Sequence, residues 1–325
     1  MESRETICRR RPLSSRINVT MKYLYLLSTL LIFTNFSCSQ SNDSKNSEGE
    51  KSKYEEGTKN SLLWMVTNEN SKDTAFVFGT MHLIQKEYFF FPDFLKNIIK
   101  ESDKVVLEVG DEINNPLKAM ALLRLEDGKS LFDFFDEKQT DSILDWAEND
   151  LGMTESMFTM TFGQMKPFAV VSLASAEDML SDSESYEQTI MKIQKEAEIP
   201  LEGLESLEEQ MSIFDDLTEE EQATMVMDAI RGGDEAKQQL EDMLRLYRAQ
   251  NIDSMYLMIH DEGDVIADKE NEFLTKRNLK WIPRMEEQMK GKRVFFAVGA
   301  AHLGGEEGIL ELLRREGYKV TSIKL

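Results

Sequence analysis

Two short stretches of this chain share one frame. Residues 76–82 read FVFGTMH and residues 295–302 read FFAVGAAH. Each is an apolar, β-prone run that reaches a glycine and presents a histidine three residues later. Only three histidines occur in 325 residues, so two of them in matching frames is a strong constraint. A fold that satisfies it brings two strand ends, distant in sequence, to one place. With 41% apolar residues the chain can bury a core large enough to do so.

The sequence between the frames reads as the means of joining them. LLWMVT alternates, NENSKD supplies turn residues and TAFVFG forms the next strand, which predicts a hairpin. Pro92-Asp93 opens a helix through DFLKNIIKES, and KVVLEVG follows as a buried strand carrying Glu108 near its end. This strand–helix–strand unit predicts a parallel pair, with His82 and Glu108 at C-terminal strand ends. Ligands of open α/β sheets collect at that edge.

Helical periodicity then dominates residues 116–126, 140–149, 187–197, 218–230, 235–250 and 268–289. Thr218 and Glu221 have capping-box spacing. One short strand interrupts the helices after Pro200 and places Glu205 at its end. KRVFFAVG is the strongest strand, and a helix and a final strand, YKVTSIKL, close the chain. The predicted fold is α/β. Its mainly parallel central sheet is built from two halves, each with a strand-end Gly-x-x-His, and a large helical region spans about 111–290.

The N-terminus reads differently. Residues 1–20 have the character of an upstream extension, because Met21-Lys22 opens the apolar run YLYLLSTLLIFTNF that ends at Ser37-Cys38. A charged start, an apolar stretch of this length and a small residue before the break describe an export signal. Cys38 after Ser37 resembles the lipidated cysteine of a bacterial lipoprotein, which makes 21–38 a lipoprotein-type signal and 39–60 a polar tether. The folded domain is expected over 61–325, lipid-anchored in a bacterial cell envelope, on its periplasmic or outer-membrane side. The two cysteines, Cys8 and Cys38, both precede it, so it is expected to fold without a disulfide. A net charge of −22 argues against a nucleic-acid partner and against adhesion to anionic lipid by charge alone.

Glycine ahead of each histidine permits a sharp turn at a strand end. Two imidazoles plus a carboxylate form a common open metal site, with a position left for water. Glu108 or Glu205 supplies the carboxylate in this reading, and the other serves as general base. Arg277 is placed to stabilise an oxyanion or hold a substrate carboxylate. His260, in MIHDEGD, lacks the glycine frame and is not expected to be a ligand.

These residues carry a resemblance. GTMH at 79–82 followed by SDKVVLEVG, MKPF at 165–168, GLESLEEQ at 203–210, KRN at 276–278 and the closing VGAAHLGGEEGILELLRREGYKV are similar to the TraB/GumN family, a relative of the TIKI metalloproteases. The resemblance runs from about Leu62 to the C-terminus. One departure is SESYEQTI, which lacks the family's Gly-x-Asp before the next helix. The resemblance implies an α/β fold in which His82, His302 and Glu108 converge, with Glu205, Arg277 and Asn278 beside them. It implies a metal-dependent peptidase using manganese or cobalt, with zinc as an alternative, that acts on an extended polypeptide. The wider superfamily leaves two other functions open. One is a metal-independent esterase acting on a small ester; the other is an envelope lipoprotein that binds haem or metal without catalysis.

Overall fold

The computed structural model describes residues 57, 59–68, 74–177, 183–231, 234–259 and 267–325. The export signal, the tether, Cys38, His260 and the Gly232-Gly233 break lie outside the described residues. Eight strands occur among the described residues: β1 (Leu63–Thr67), β2 (Thr74–Thr80), β3 (Ile84–Gln85), β4 (Lys104–Val109), β5 (Ser183–Glu184), β6 (Leu201–Glu205), β7 (Arg293–Gly299) and β8 (Lys319–Ile323). Six of them build the central sheet in the order β6-β4-β7-β2-β1-β8, and β3 pairs with β5 separately. The contacts β6–β4, β4–β7 and β7–β2 are parallel, while β2–β1 and β1–β8 are antiparallel. The fold is mixed α/β with a mostly parallel sheet.

Twelve α-helices occur among the described residues. The first six are α1 (Asp93–Lys100), α2 (Pro116–Leu122), α3 (Glu137–Asn149), α4 (Glu155–Phe162), α5 (Pro167–Glu177) and α6 (Tyr186–Glu196). They are followed by α7 (Leu207–Asp215), α8 (Glu219–Arg231), α9 (Asp234–Arg248), α10 (Ile252–Ile259), α11 (Ala267–Met289) and α12 (Ile309–Arg315). No helix among the described residues is long and apolar enough to cross a membrane.

Strand burial follows sheet position. β4 is buried at every residue and β7 at all but Arg293, as expected for parallel strands covered on both faces. The outer strand β8 begins at exposed Lys319, a charge that discourages further pairing at the edge.

One expectation is corrected by this order. β2 and β4 run in the same direction but are not neighbours, because β7 lies between them. β7 pairs its backbone groups on both edges, with β2 on one side and β4 on the other, so the last parallel strand fills the gap left by the first crossover. This insertion positions the site. β2, β7, β4 and β6 end side by side, so their C-terminal edges deliver His82, His302, Glu108 and Glu205 in spatial sequence. The helical stretch between 111 and 290 contributes to the sheet as well, through β6.

Helix caps match the sequence where polar residues precede apolar periodicity. Thr218 and Glu221 exchange capping bonds at the start of α8. Ser206 and Glu209 do the same at the start of α7. Because α7 starts directly after β6, its first turn stays next to Glu205. Lys166, from the MKPF segment, pairs with Asp215 at 2.6 Å, and Phe168 stacks on Phe214 at 4.2 Å. That segment therefore ties α5 to the end of α7.

Candidate active site

β2 passes through Gly79 and ends at Thr80, and His82 follows. β7 ends at Gly299, and a short 3-10 turn of Ala300–His302 turns the second histidine over the sheet edge. Glu108 is the penultimate residue of β4, and Glu205 is the last of β6. From above, α11 lowers Arg277 and Asn278 onto the same point, with Trp281 one turn later on the same face. All six residues named from the sequence meet here, and each is buried.

Arg277 is the hub. Its Nη2 donates to Glu108 Oε2 at 2.5 Å and to Glu205 Oε1 at 2.6 Å. Its Nε donates to Glu205 as well, at 3.1 Å. Its Nη1 lies 3.2 Å from His302 Nε2. The guanidinium also sits over the Trp281 ring, 4.6 Å from its centroid. A cation is buried here at acceptable cost because two carboxylates and an aromatic face surround it.

One cation shared by two carboxylates leaves them unequal. Burial disfavours ionised Glu108, yet Arg277, then His302, His82 and the Gly299 N–H outweigh it and hold its pKa at about 2. The Gly299 N–H donates to Glu108 Oε1 at 2.7 Å. For Glu205 burial prevails over Arg277, and the charge on Glu108 adds to it, so its pKa is raised. Glu108 is the more acidic of the two.

The histidines also differ. His302 Nδ1 lies 2.7 Å from Asn278 Oδ1, and burial followed by the Arg277 charge pushes its pKa down to about 3. His82 Nδ1 lies 2.8 Å from Glu187 Oε1, a close ion-pair contact that falls short of hydrogen-bond alignment. Burial opposes protonation of His82, but Glu187 and then Glu108 raise its pKa above the ordinary 6.5.

Several contributors escaped the sequence reading. Gln210, in the first turn of α7, reaches Glu205 at 3.3 Å and Glu108 at 3.4 Å. It stood inside the GLESLEEQ run, so its position was available as a signal. Trp281 Nε1 donates to Glu205 Oε2 at 3.1 Å, and its spacing of one turn from Arg277 was a usable cue. Glu187 lies in SESYEQTI, the segment that stands where the resemblance expects Gly-x-Asp, and that position was its signal.

The donor types fit a divalent metal ion better than their arrangement does. His82 Nε2 and His302 Nε2 lie 3.7 Å and 3.9 Å from Glu108 Oε1. A Cβ built on Gly299 would meet Glu108 Oε1 at 3.3 Å and His82 Nε2 at 3.5 Å, so glycine keeps the space between them open. Against this, Arg277 takes both the His302 Nε2 lone pair and Glu108 Oε2. No group of three or more His, Cys, Asp or Glu among the described residues is gathered as a metal site. As arranged, these side chains do not fit a metal ion.

Two flanking features shape access. A cleft of about 60 Å³ lies between α7 and α11 and reaches Glu205 and Arg277. It has room for a few waters. Beneath His82, Tyr247 donates to Gly79 O at 3.0 Å, and Phe89 packs 4.7 Å from Tyr186.

The sequence signature of the TraB/PrgY/gumN family matches residues 62–322. The chain belongs to the TraB/PrgY/gumN family. The match spans the central sheet except for the last residue of β8, so every residue of this centre lies within the family domain. No curated protein and no solved structure matches the chain at a significant level.

Proposed function

We propose that this TraB/PrgY/gumN chain is a cell-envelope hydrolase, lipid-anchored through Cys38, that cleaves an extended polypeptide by adding water to a peptide bond. The single observation that supports it best is the convergence of His82, Glu108 and Arg277 at one sheet edge. His82 accepts a proton from water, which attacks the carbonyl carbon. Arg277 faces the negative charge that develops on the carbonyl oxygen. The protonated His82 returns its proton to the leaving nitrogen as the C–N bond breaks, and Glu108 stays ionised to offset the imidazolium. Glu187 and Glu108 beside His82 favour its protonated form, which supports its taking the proton from water.

A metal-dependent peptidase is the second reading, favoured by the open space over Gly299 between Glu108 and His82. Manganese, cobalt or zinc on His82, His302 and Glu108 requires Arg277 to withdraw from His302. The deciding experiment combines elemental analysis with cleavage of a peptide library, before and after exhaustive chelation. Turnover that survives chelation and is lost in His82→Ala supports the metal-free route. Near-stoichiometric metal, lost together with turnover in His82→Ala and His302→Ala, supports the second. Turnover of a small ester without peptide cleavage would replace the peptide substrate. A Soret band on adding haem, with no turnover at all, would replace both readings with a binding protein.

A further inference from the structure

His82 and His302 occupy matching frames, but their second nitrogens face partners of opposite kinds. His302 is committed at both ends. Asn278 Oδ1 can only accept and the Arg277 guanidinium can only donate, so His302 carries its proton on Nδ1 and offers the Nε2 lone pair to Arg277. That imidazole is a neutral strut.

His82 is held differently. Its Nδ1 lies 2.8 Å from Glu187 Oε1 and has no aligned hydrogen-bond partner among the described residues. Its Nε2 faces Glu108 Oε1 at 3.7 Å, a gap too long for a hydrogen bond. Glu187 is itself fixed from two sides. Thr80 Oγ1, at the end of β2, donates to its Oε1 at 2.5 Å. Ser185 Oγ, which caps α6, lies 3.3 Å from its Oε2. Glu187 is 4% exposed, and a buried carboxylate with two hydroxyls and an imidazole around it has a defined orientation. The cap that starts α6 therefore also aims Glu187 at the strand-end histidine.

We infer that Glu187 is the positioning residue that assigns proton transfer to His82 and not to His302. It keeps the proton of neutral His82 on Nδ1, so that the Nε2 lone pair is presented toward Glu108 and the attacking water. His302, lacking a carboxylate behind it, serves Arg277 instead. The assignment of a proton-transfer role rests on the hydrolytic reading above, whereas the tautomer it requires is a property of the resting protein.

The test is long-range ¹H–¹⁵N NMR of the histidine rings in the whole folded chain, which has only three. His82→Gln and His302→Gln assign the signals. In the wild type, neutral His82 and His302 are both expected as Nδ1–H tautomers. In Glu187→Leu the His82 ratio shifts about tenfold toward Nε2–H, the scale of one lost close contact between Nδ1–H and a buried carboxylate, while His302 keeps its form. Glu187→Gln, whose amide oxygen still accepts, restores the Nδ1–H form. A packing role alone for Glu187 predicts no tautomer change in the leucine variant. A wild-type His82 in the Nε2–H form overturns the inference outright, even if Glu187→Leu fails to fold. So does an unchanged His82 signal in a folded Glu187→Leu protein. Wild-type tautomers as expected in a protein without hydrolytic activity would leave the placement standing and remove the hydrolase reading.

Discussion

The β2 end and the β7 end begin from nearly the same short sequence and become chemically unlike. Each runs through apolar residues to a glycine and then a histidine. At the β7 end, α11 supplies Arg277 and Asn278, and His302 is pressed into the neutral form with a pKa of about 3. At the β2 end, α6 supplies Glu187, and His82 is raised above 6.5. The frame places an imidazole at the sheet edge; the helix packed above it decides whether that imidazole carries charge. A repeated motif is thus a repeated position and not a repeated role.

The largest test of this difference removes the cation. Arg277→Met leaves Glu108 and Glu205 buried against each other and should cost about 3–5 kcal/mol in urea unfolding, as expected for breaking a buried pair. Below about 1 kcal/mol, Arg277 would not be the hub of the β7 side.

The glycines separate the two ends next. A Cβ on Gly79 would lie 2.7 Å from Leu303 Cδ1 and 3.1 Å from Ala300 Cα, so Gly79→Ala should lose about 1–3 kcal/mol through overpacking. A Cβ on Gly299 meets only the site side chains, the nearest at 3.3 Å. Gly299→Ala should cost less than about 1 kcal/mol and yet remove activity, because it fills the space where water must sit. Equal stability losses in the two variants would break the comparison.

Proton linkage sharpens it. For His302 the folded pKa lies below the unfolded one, so protonation of the unfolded chain draws stability away as pH falls from 6.5 toward about 3. His82 has the opposite sign. Its contribution is fully present below 6.5 and is lost as pH rises through its raised folded value. Histidine NMR titration should therefore show His82 changing charge above 6.5, while His302 stays neutral until the pH approaches 3. Two coincident midpoints would contradict the assigned environments.

The most local test concerns the strut. Asn278→Ala removes the acceptor of His302 Nδ1–H and should cost roughly 1–2 kcal/mol by thermal unfolding. The His82 ring signals should not move, since Asn278 belongs to the other end.

Much of this arrangement was legible before any coordinates. β7 was readable from KRVFFAVG because a fully apolar run bounded by Arg293 and Gly299 has few alternatives. Glu108 and Glu205 were readable as strand-end carboxylates, since each closes a short strand before a turn. The neighbour of β2 was not readable. Strand–helix–strand sequence predicts direction, but adjacency depends on which later strand competes for the gap, and β7 arrives almost two hundred residues afterwards. Glu187 was hidden for a different reason. It lies in SESYEQTI, which departs from the expected Gly-x-Asp, and in a chain with 60 acidic residues its role shows only when Thr80 and His82 are found beside it.

The sequence by itself determined the pieces: the strands of the central sheet, one capping box, the two histidines at strand ends, and the arginine on a helix. Those depend on local periodicity and backbone preference. Only the tertiary structure decided which histidine meets a carboxylate and which meets a guanidinium. The charge state of a buried group is set by neighbours within a few ångströms in space, and these come from helices far away in the chain.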